Sequence, residues 1–324
     1  MAHGLTQHND MAYNALNKAP WHGLGVALPG LMTAKEVAEA CPRFADPVLK
    51  VPAELDGSPV PGHFFTIRAD DRTVLGHVGA EYQVAQNLDL LKVAEAYCQD
   101  AHGPLFETAG ILWNGRKSWV LAKFPQDMIL KGRNGSEDVI GQYLLFSNAH
   151  DGSQRLRVQA TPIRVVCQNT LNMATHSNKR NTSAWVCHSG DIVAKLENVK
   201  DVLGIAAREF AETKELYQAL IRVEPSKEQV ETVLKALIPD TVSKRAELQR
   251  ERVLQLAEAG TGNAPYAGTA WGLYNGFTEL SDHVNNSGSK REDAQDMRVN
   301  SAWFGSGAAW KGQALKTIAE VCLN

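Results

Sequence analysis

The spacing of apolar positions changes once along the chain. Before about residue 190 they come in short runs broken by turn formers; beyond it they recur every three or four residues. In the first part, His63–Arg68 and Val74–Val78 read as strands joined across Asp70-Asp71-Arg72, and Ala109–Phe124 reads as a hairpin with Asn114-Gly115 as a type I′ turn signal. Val139–Ser147 and Arg155–Val166 form a further strand pair around the turn-forming run Asn148 to Ser153, whose Asn, Asp, Gly and Ser tolerate left-handed dihedrals or bond their own backbone. Short helices are expected over Thr33–Ala40, with Thr33 and Glu36 as a capping box, over Leu88–Cys98, and near Gln168–Thr175. Residues 1–30 show no regular pattern.

The second part predicts helices over Ile192–Ile221, Ser226–Leu237 (Ser226 and Gln229 as the capping box), Val242–Ala259, Thr269–Val284 and Ala308–Cys322. A polar loop separates the last two. Thr269–Val284 carries Trp271, Tyr274, Phe277 and Leu280 as an aromatic stripe, the mark of a packed core face or of a partner contact. The fold class expected is α+β: an antiparallel, β-hairpin-rich sheet with packed helices over residues 1–190, then a mainly helical region over 191–324.

Charge alters this picture locally. The 324 residues hold 33 Lys and Arg against 36 Asp and Glu, a formal net charge of −3. That excludes a wholly basic nucleic-acid coat but leaves room for a basic groove. No carboxylate lies between Asp151 and Asp191, whereas Arg155, Arg157, Arg164, Lys179 and Arg180 all do. The Asn114-Gly115 hairpin also lacks acids and sets Arg116 and Lys117 beside Trp113 and Trp119; Trp185 follows in the basic block. Cations that track phosphates and aromatic faces that stack on bases are what single-strand binding requires. The plainer reading is a solvated strand face whose arginines pair with distant acids, and tryptophans buried in the core.

Candidate catalysis is thinner. His150-Asp151, His176, Cys187-His188 and Asp282-His283 lack metal-ligand spacing, so no metal and no cofactor are expected. Cys167 sits among apolar neighbours and reads as a core thiol before it reads as a nucleophile. Gly23-Leu24-Gly25 lacks a third glycine, and the Gly305 to Gly312 stretch fails the phosphate-loop spacing. Five dispersed cysteines without a CxxC pair fit reduced thiols. The first residues have neither a basic nor an apolar leader region, and no run reaches the length of a membrane span, so a cytoplasmic protein is expected.

WHGLG near the start, the TPIRVVCQNTLNMA block, the TAWGLYNGFTELSDH helix and a late tryptophan–glycine helix together resemble the phage- and plasmid-encoded family of the domain of unknown function 932. The resemblance implies a mobile-element context and a role near DNA, with no activity to transfer. Antiparallel strands, then a helix, then basic residues is also the local plan of single-strand annealing proteins. The leading expectation is a non-enzymatic, homo-oligomeric protein of a phage or plasmid that binds or anneals single-stranded DNA. A factor that binds a host or phage protein through the aromatic helix is the alternative, and a metal-dependent nuclease comes third.

Overall fold

The computed structural model describes residues 10–15, 25–97, 106–124, 126–132, 134–164, 169–170, 183–186, 188, 201–240, 244–284 and 294–324. Two sheets and a set of helices make up the described chain. The larger sheet contains β1 (Met11–Asn14), β2 (Val26–Leu28), β6 (Phe106–Leu112), β7 (Lys117–Lys123), β8 (Met128–Lys131), β9 (Glu137–Ala149), β10 (Leu156–Arg164), β11 (Asn169–Thr170) and β12 (Ser183–Val186). Its order is β11-β10-β9-β7-β6-β1-β2, with β12 also on β10 and β8 also on β9. Every pairing is antiparallel except β1 with β2. The smaller sheet is β3 (Val48–Leu55), β4 (Ser58–Arg68) and β5 (Val74–Gly79), antiparallel throughout.

β9 is the hub. Ten of its thirteen residues are buried, so the strand is covered on both faces and reads as an apolar run rather than a strict alternation. Residues alternate between faces, and the packing follows that parity. Ile111, Val120, Leu144, Phe146 and Val158 join a large core, whereas Leu112, Trp119, Leu121, Tyr143 and Leu145 join a second, smaller cluster on the opposite face.

The large core is completed by helices: α1 (Ala34–Ala40), α2 (Pro42–Ala45), α3 (Asn87–Tyr97), α4 (Asp201–Arg222), α5 (Lys227–Leu237), α6 (Arg245–Ala259), α7 (Ala270–Glu279) and α9 (Ser306–Cys322). Between the last two runs α8 (Ala294–Trp303), whose Trp303 packs instead against the smaller cluster. Both expected capping boxes are present, Thr33 with Glu36 on α1 and Ser226 with Gln229 on α5. α7 is buried along its whole length. Thr269 caps it by accepting from the Gly272 N–H at 3.0 Å, and Trp271 Nε1 donates to Asp138 Oδ2 of β9 at 2.9 Å. Gly272 and Gly276 bring α7 against the backbone of α6: a Cβ at Gly276 would stand 2.6 Å from the Val253 carbonyl oxygen. One π-helical turn, Leu280–Val284, prolongs α7 and places Asp282 2.6 Å from Lys311 of α9, a fully buried ion pair.

Several elements depart from the sequence reading. β1 and β2 arise in a stretch without pattern, because each is too short to show a period. Asn169–Thr170 is a strand paired with Ile163 and Arg164, where a helix was expected to start. Helix α8 starts at Ala294, inside the Asn285–Asp296 stretch expected as a polar loop. The Asn114-Gly115 hairpin is real, but its loop is longer than a two-residue type I′ turn. Trp113, Asn114 and Gly115 all have positive φ, at 49°, 58° and 96°, and Lys117 pairs with Leu112. Among the described residues no helix is long and apolar enough to cross a membrane.

Candidate functional site

One end of the larger sheet gathers the hairpin tip before β7, the end of β9 and the turn into β10. Strand register fixes the placement. Lys117 lies opposite Ala149, Trp119 opposite Ser147, and Ser147 in turn opposite Arg157, which lies opposite Trp185. Trp119, Ser147, Arg157 and Trp185 therefore occupy one row across β7, β9, β10 and β12. Two strand spacings, about 10 Å, separate the strands of Lys117 and Arg157 across β9.

The side chains differ in what they offer. Arg116 and Arg155 are exposed and Arg157 is half-buried. Burial works against the charge of Arg157, lowering its pKa from the usual arginine range. Lys117 is also half-buried; its amine donates to Asn300 Oδ1 of α8 at 2.9 Å and stands 5.5 Å from the centre of the Trp113 ring. Burial lowers the Lys117 pKa, and the nearby Asp151 carboxylate works in the other direction. Trp113 is half-buried and packs against the edge of the smaller cluster. Trp119 is 3% exposed and meets Trp303 edge to face at 6.2 Å, so as folded it offers no face to a base. The sequence reading of Trp119 as a stacking ring thus gives way to its bland alternative: the indole belongs to the smaller cluster.

The other candidates are not assembled at this end. Arg164 closes β10 opposite Ile140, at the far end of that strand from Arg157. The side chains of Arg164 and Trp185 lie outside the described residues, as do Lys179 and Arg180 altogether. Cys167, His176 and Cys187 also lie outside them.

Sequence reasoning did not anticipate the polar layer beneath this end. The His150 N–H extends the β7 pairing by donating to the Arg116 carbonyl at 2.8 Å, while Thr66 of the small sheet donates to the His150 carbonyl at 2.6 Å. Gly76 of β5 packs on the Asp151 backbone so closely that a Cβ there would collide with it. Arg68, 2% exposed, pairs with Asp70 and Asp71 and reaches the Asn114 carbonyl at 3.4 Å. The small sheet therefore buttresses the hairpin tip that carries Arg116. Tyr82 stacks on His188 at 4.7 Å and donates to the Ala149 carbonyl at 3.1 Å. His188 Nδ1 lies 3.1 Å from the Gln83 carbonyl, so a loop after β5 is stitched to the end of β12. Apart from the local pairs of Arg68 with Asp70 and Asp71, these contacts join residues 34 to 106 positions apart, and no local pattern announces them.

His150 is fully buried, and burial is the main cause that drives its pKa down to about 3, with His188 contributing in the same direction. Its Nε2 lies 2.9 Å from Asn87 Oδ1, and its Nδ1 has no partner. Among the described residues no group of three or more His, Cys, Asp or Glu is placed to hold a metal ion. The aromatic stripe of Thr269–Val284 is equally committed. Trp271, Tyr274 and Phe277 are fully buried and pack on Tyr217 and Trp310, so they belong to the core and present no surface to a partner.

The chain belongs to the family described as domain of unknown function (DUF932), whose model matches residues 74–303, well over half of its length. The matched span takes in Arg116, Lys117, Arg155, Arg157 and all of α7; WHGLG and the Trp310 helix fall outside it. No curated protein and no solved structure matches the chain.

Proposed function

We propose that this protein binds single-stranded DNA without catalysing a reaction, as an oligomeric binding or annealing protein of a phage or plasmid acting in recombination or replication. One observation supports this reading above the others. Arg116 and Lys117 before and on β7, and Arg155 and Arg157 before and on β10, share one end of the larger sheet although they are some forty residues apart in sequence. Cations displayed on β7 and β10, on either side of β9, with Trp113 alongside are suited to hold a phosphate backbone and leave bases free to stack. Asp151 offsets part of that positive charge, which favours a modest, salt-sensitive grip. Lys179 and Arg180, outside the described residues, extend the basic block along the sequence and belong to the same proposal.

The test is a charge reversal. R155E/R157E should weaken binding to a labelled single-stranded oligonucleotide and lower the slope of log K against log salt by about 1.4, since each phosphate contact on a single strand contributes about 0.7. An unchanged affinity and slope would remove these arginines from the interface.

A further inference from the structure

The outward face of the small sheet carries two histidines that nothing so far explains. In the β4–β5 pairing His63 lies opposite Gly79 and Phe65 opposite His77, so His63 and His77 are diagonal neighbours on one face. Both are exposed. His63 Nδ1 lies 2.9 Å from His77 Nε2. The ring planes differ by 15° and the centroids stand 5.0 Å apart, just under the nitrogen separation plus two ring radii. The imidazoles therefore meet edge to edge, nitrogen to nitrogen.

Such a pair holds a single N–H between its facing nitrogens, so at least one lone pair points into the gap. Two imidazole–metal bonds of about 2.0–2.1 Å meeting at a right angle place their nitrogens about 2.9 Å apart. The nitrogens already stand at that separation, and the rings need only turn about their side-chain bonds, with the strands unmoved, to aim both lone pairs at one ion. The surroundings favour a cation with open coordination. Phe65 flanks His77 edge-on at 5.9 Å and limits its swing, while a Cβ at Gly79, opposite His63, would meet nothing within 4 Å and leaves room for water ligands.

We propose that His63 and His77 form an exposed two-imidazole site for a borderline divalent transition-metal ion, with water completing the coordination. A right-angle nitrogen pair suits the tetragonal preference of Cu2+, which also heads the affinity order for nitrogen sites; Zn2+ and Ni2+ bind the same pair more weakly. Binding requires one ring to move its proton to the outward nitrogen. The site stands apart from the basic sheet end and does not depend on the nucleic-acid reading.

The experiment uses the full chain and metal salts alone, without nucleic acid: calorimetric titration with CuCl2 and ZnCl2, and electron paramagnetic resonance of the Cu2+ form. One Cu2+ per chain with a two-nitrogen signature is expected. H63A and H77A, checked for folding by circular dichroism, should each weaken binding at least tenfold and reduce the signature to one nitrogen. The proposal is overturned if the wild-type chain shows no saturable binding, or if folded H63A and H77A both bind as the wild type does, which would assign the metal to other histidines.

Discussion

A buried imidazole with one satisfied nitrogen sets the acid sensitivity of the sheet end. Asn87 uses its amide nitrogen on the Phe44 carbonyl, so its Oδ1 accepts from His150 Nε2 and the unpartnered Nδ1 is the lone-pair side. Protonating Nδ1 would leave a buried charge without an acceptor. The folded pKa, about 3, lies below the unfolded value of about 6.5, so the unfolded chain binds the proton more tightly. Stability linked to His150 is complete above about pH 6.5 and declines as pH falls toward 3, by up to about 1.4 kcal/mol per pH unit. Denaturant unfolding at pH 7, 5.5 and 4.5 should show that decline. His150→Gln should be less stable at pH 7 yet lose less between pH 7 and 4.5; an identical pH slope in the variant would assign the effect to other groups. At the same scale, Trp113 and Trp119 show how far a residue's chemistry fixes its role. Both indoles stand within three residues of a cation in sequence and pack with the same smaller cluster, but Trp119, on β7, is buried in it, whereas Trp113, in the hairpin loop, lies at its edge and is only half-buried.

Elements whose signals are local were legible, and those that depend on distant partners were not. The capping boxes at Thr33 and Ser226 formed where the Thr/Ser-to-Glu/Gln spacing placed them, because a cap is satisfied within one turn. The β9–β10 pair was readable from long apolar runs around a turn of Asn, Asp, Gly and Ser. β1 was not, since Met11–Asn14 becomes a strand by pairing with β6, nearly a hundred residues away, and with β2. Half of the candidate site was readable too. The acid-free block located Arg155 and Arg157, but their neighbourhood with Arg116 and Lys117 follows from the β7–β9–β10 order, which no spacing encodes. α7 offers a case where local propensity and packing oppose each other. Alanine is a better helix former than glycine by about 1 kcal/mol, so propensity alone favours Gly276→Ala. The Val253 carbonyl oxygen at 2.6 Å from the new Cβ reverses the sign, and G276A should destabilise the fold by about 1–3 kcal/mol in chemical denaturation. A stabilised G276A would show that α6 and α7 are not packed backbone to backbone.

For the whole molecule, the decisive feature is that one hydrophobic core runs from the sheet strands through α4, α7 and α9. Phe146 and Val158 share it with Tyr217, Trp271 and Ile318, and the Trp271–Asp138 hydrogen bond crosses between the helical part and β9. The change of texture near residue 190 marks a change of element type within a shared core. Residues 1–190 expressed alone should therefore fail to give a cooperative unfolding transition, whereas the full chain should give one; a cooperative fragment would divide the core. Trp271→Phe, which keeps most of the apolar volume but removes the donor to Asp138, should cost about 1–3 kcal/mol. This arrangement also limits where a ligand can act. α7, the most aromatic helix, lies inside, and the cations of the sheet end lie at its rim with the small sheet braced behind the hairpin tip.

The nucleic-acid reading is tested most directly by fluorescence anisotropy of the full-length protein with labelled single- and double-stranded oligonucleotides across a salt series, with light scattering on the same samples to give the oligomeric state. The account predicts that an oligomer prefers the single strand and that log K falls steeply and linearly with log salt. No binding to either strand form at low salt would contradict it, and would leave the basic sheet end as an ordinary solvated surface.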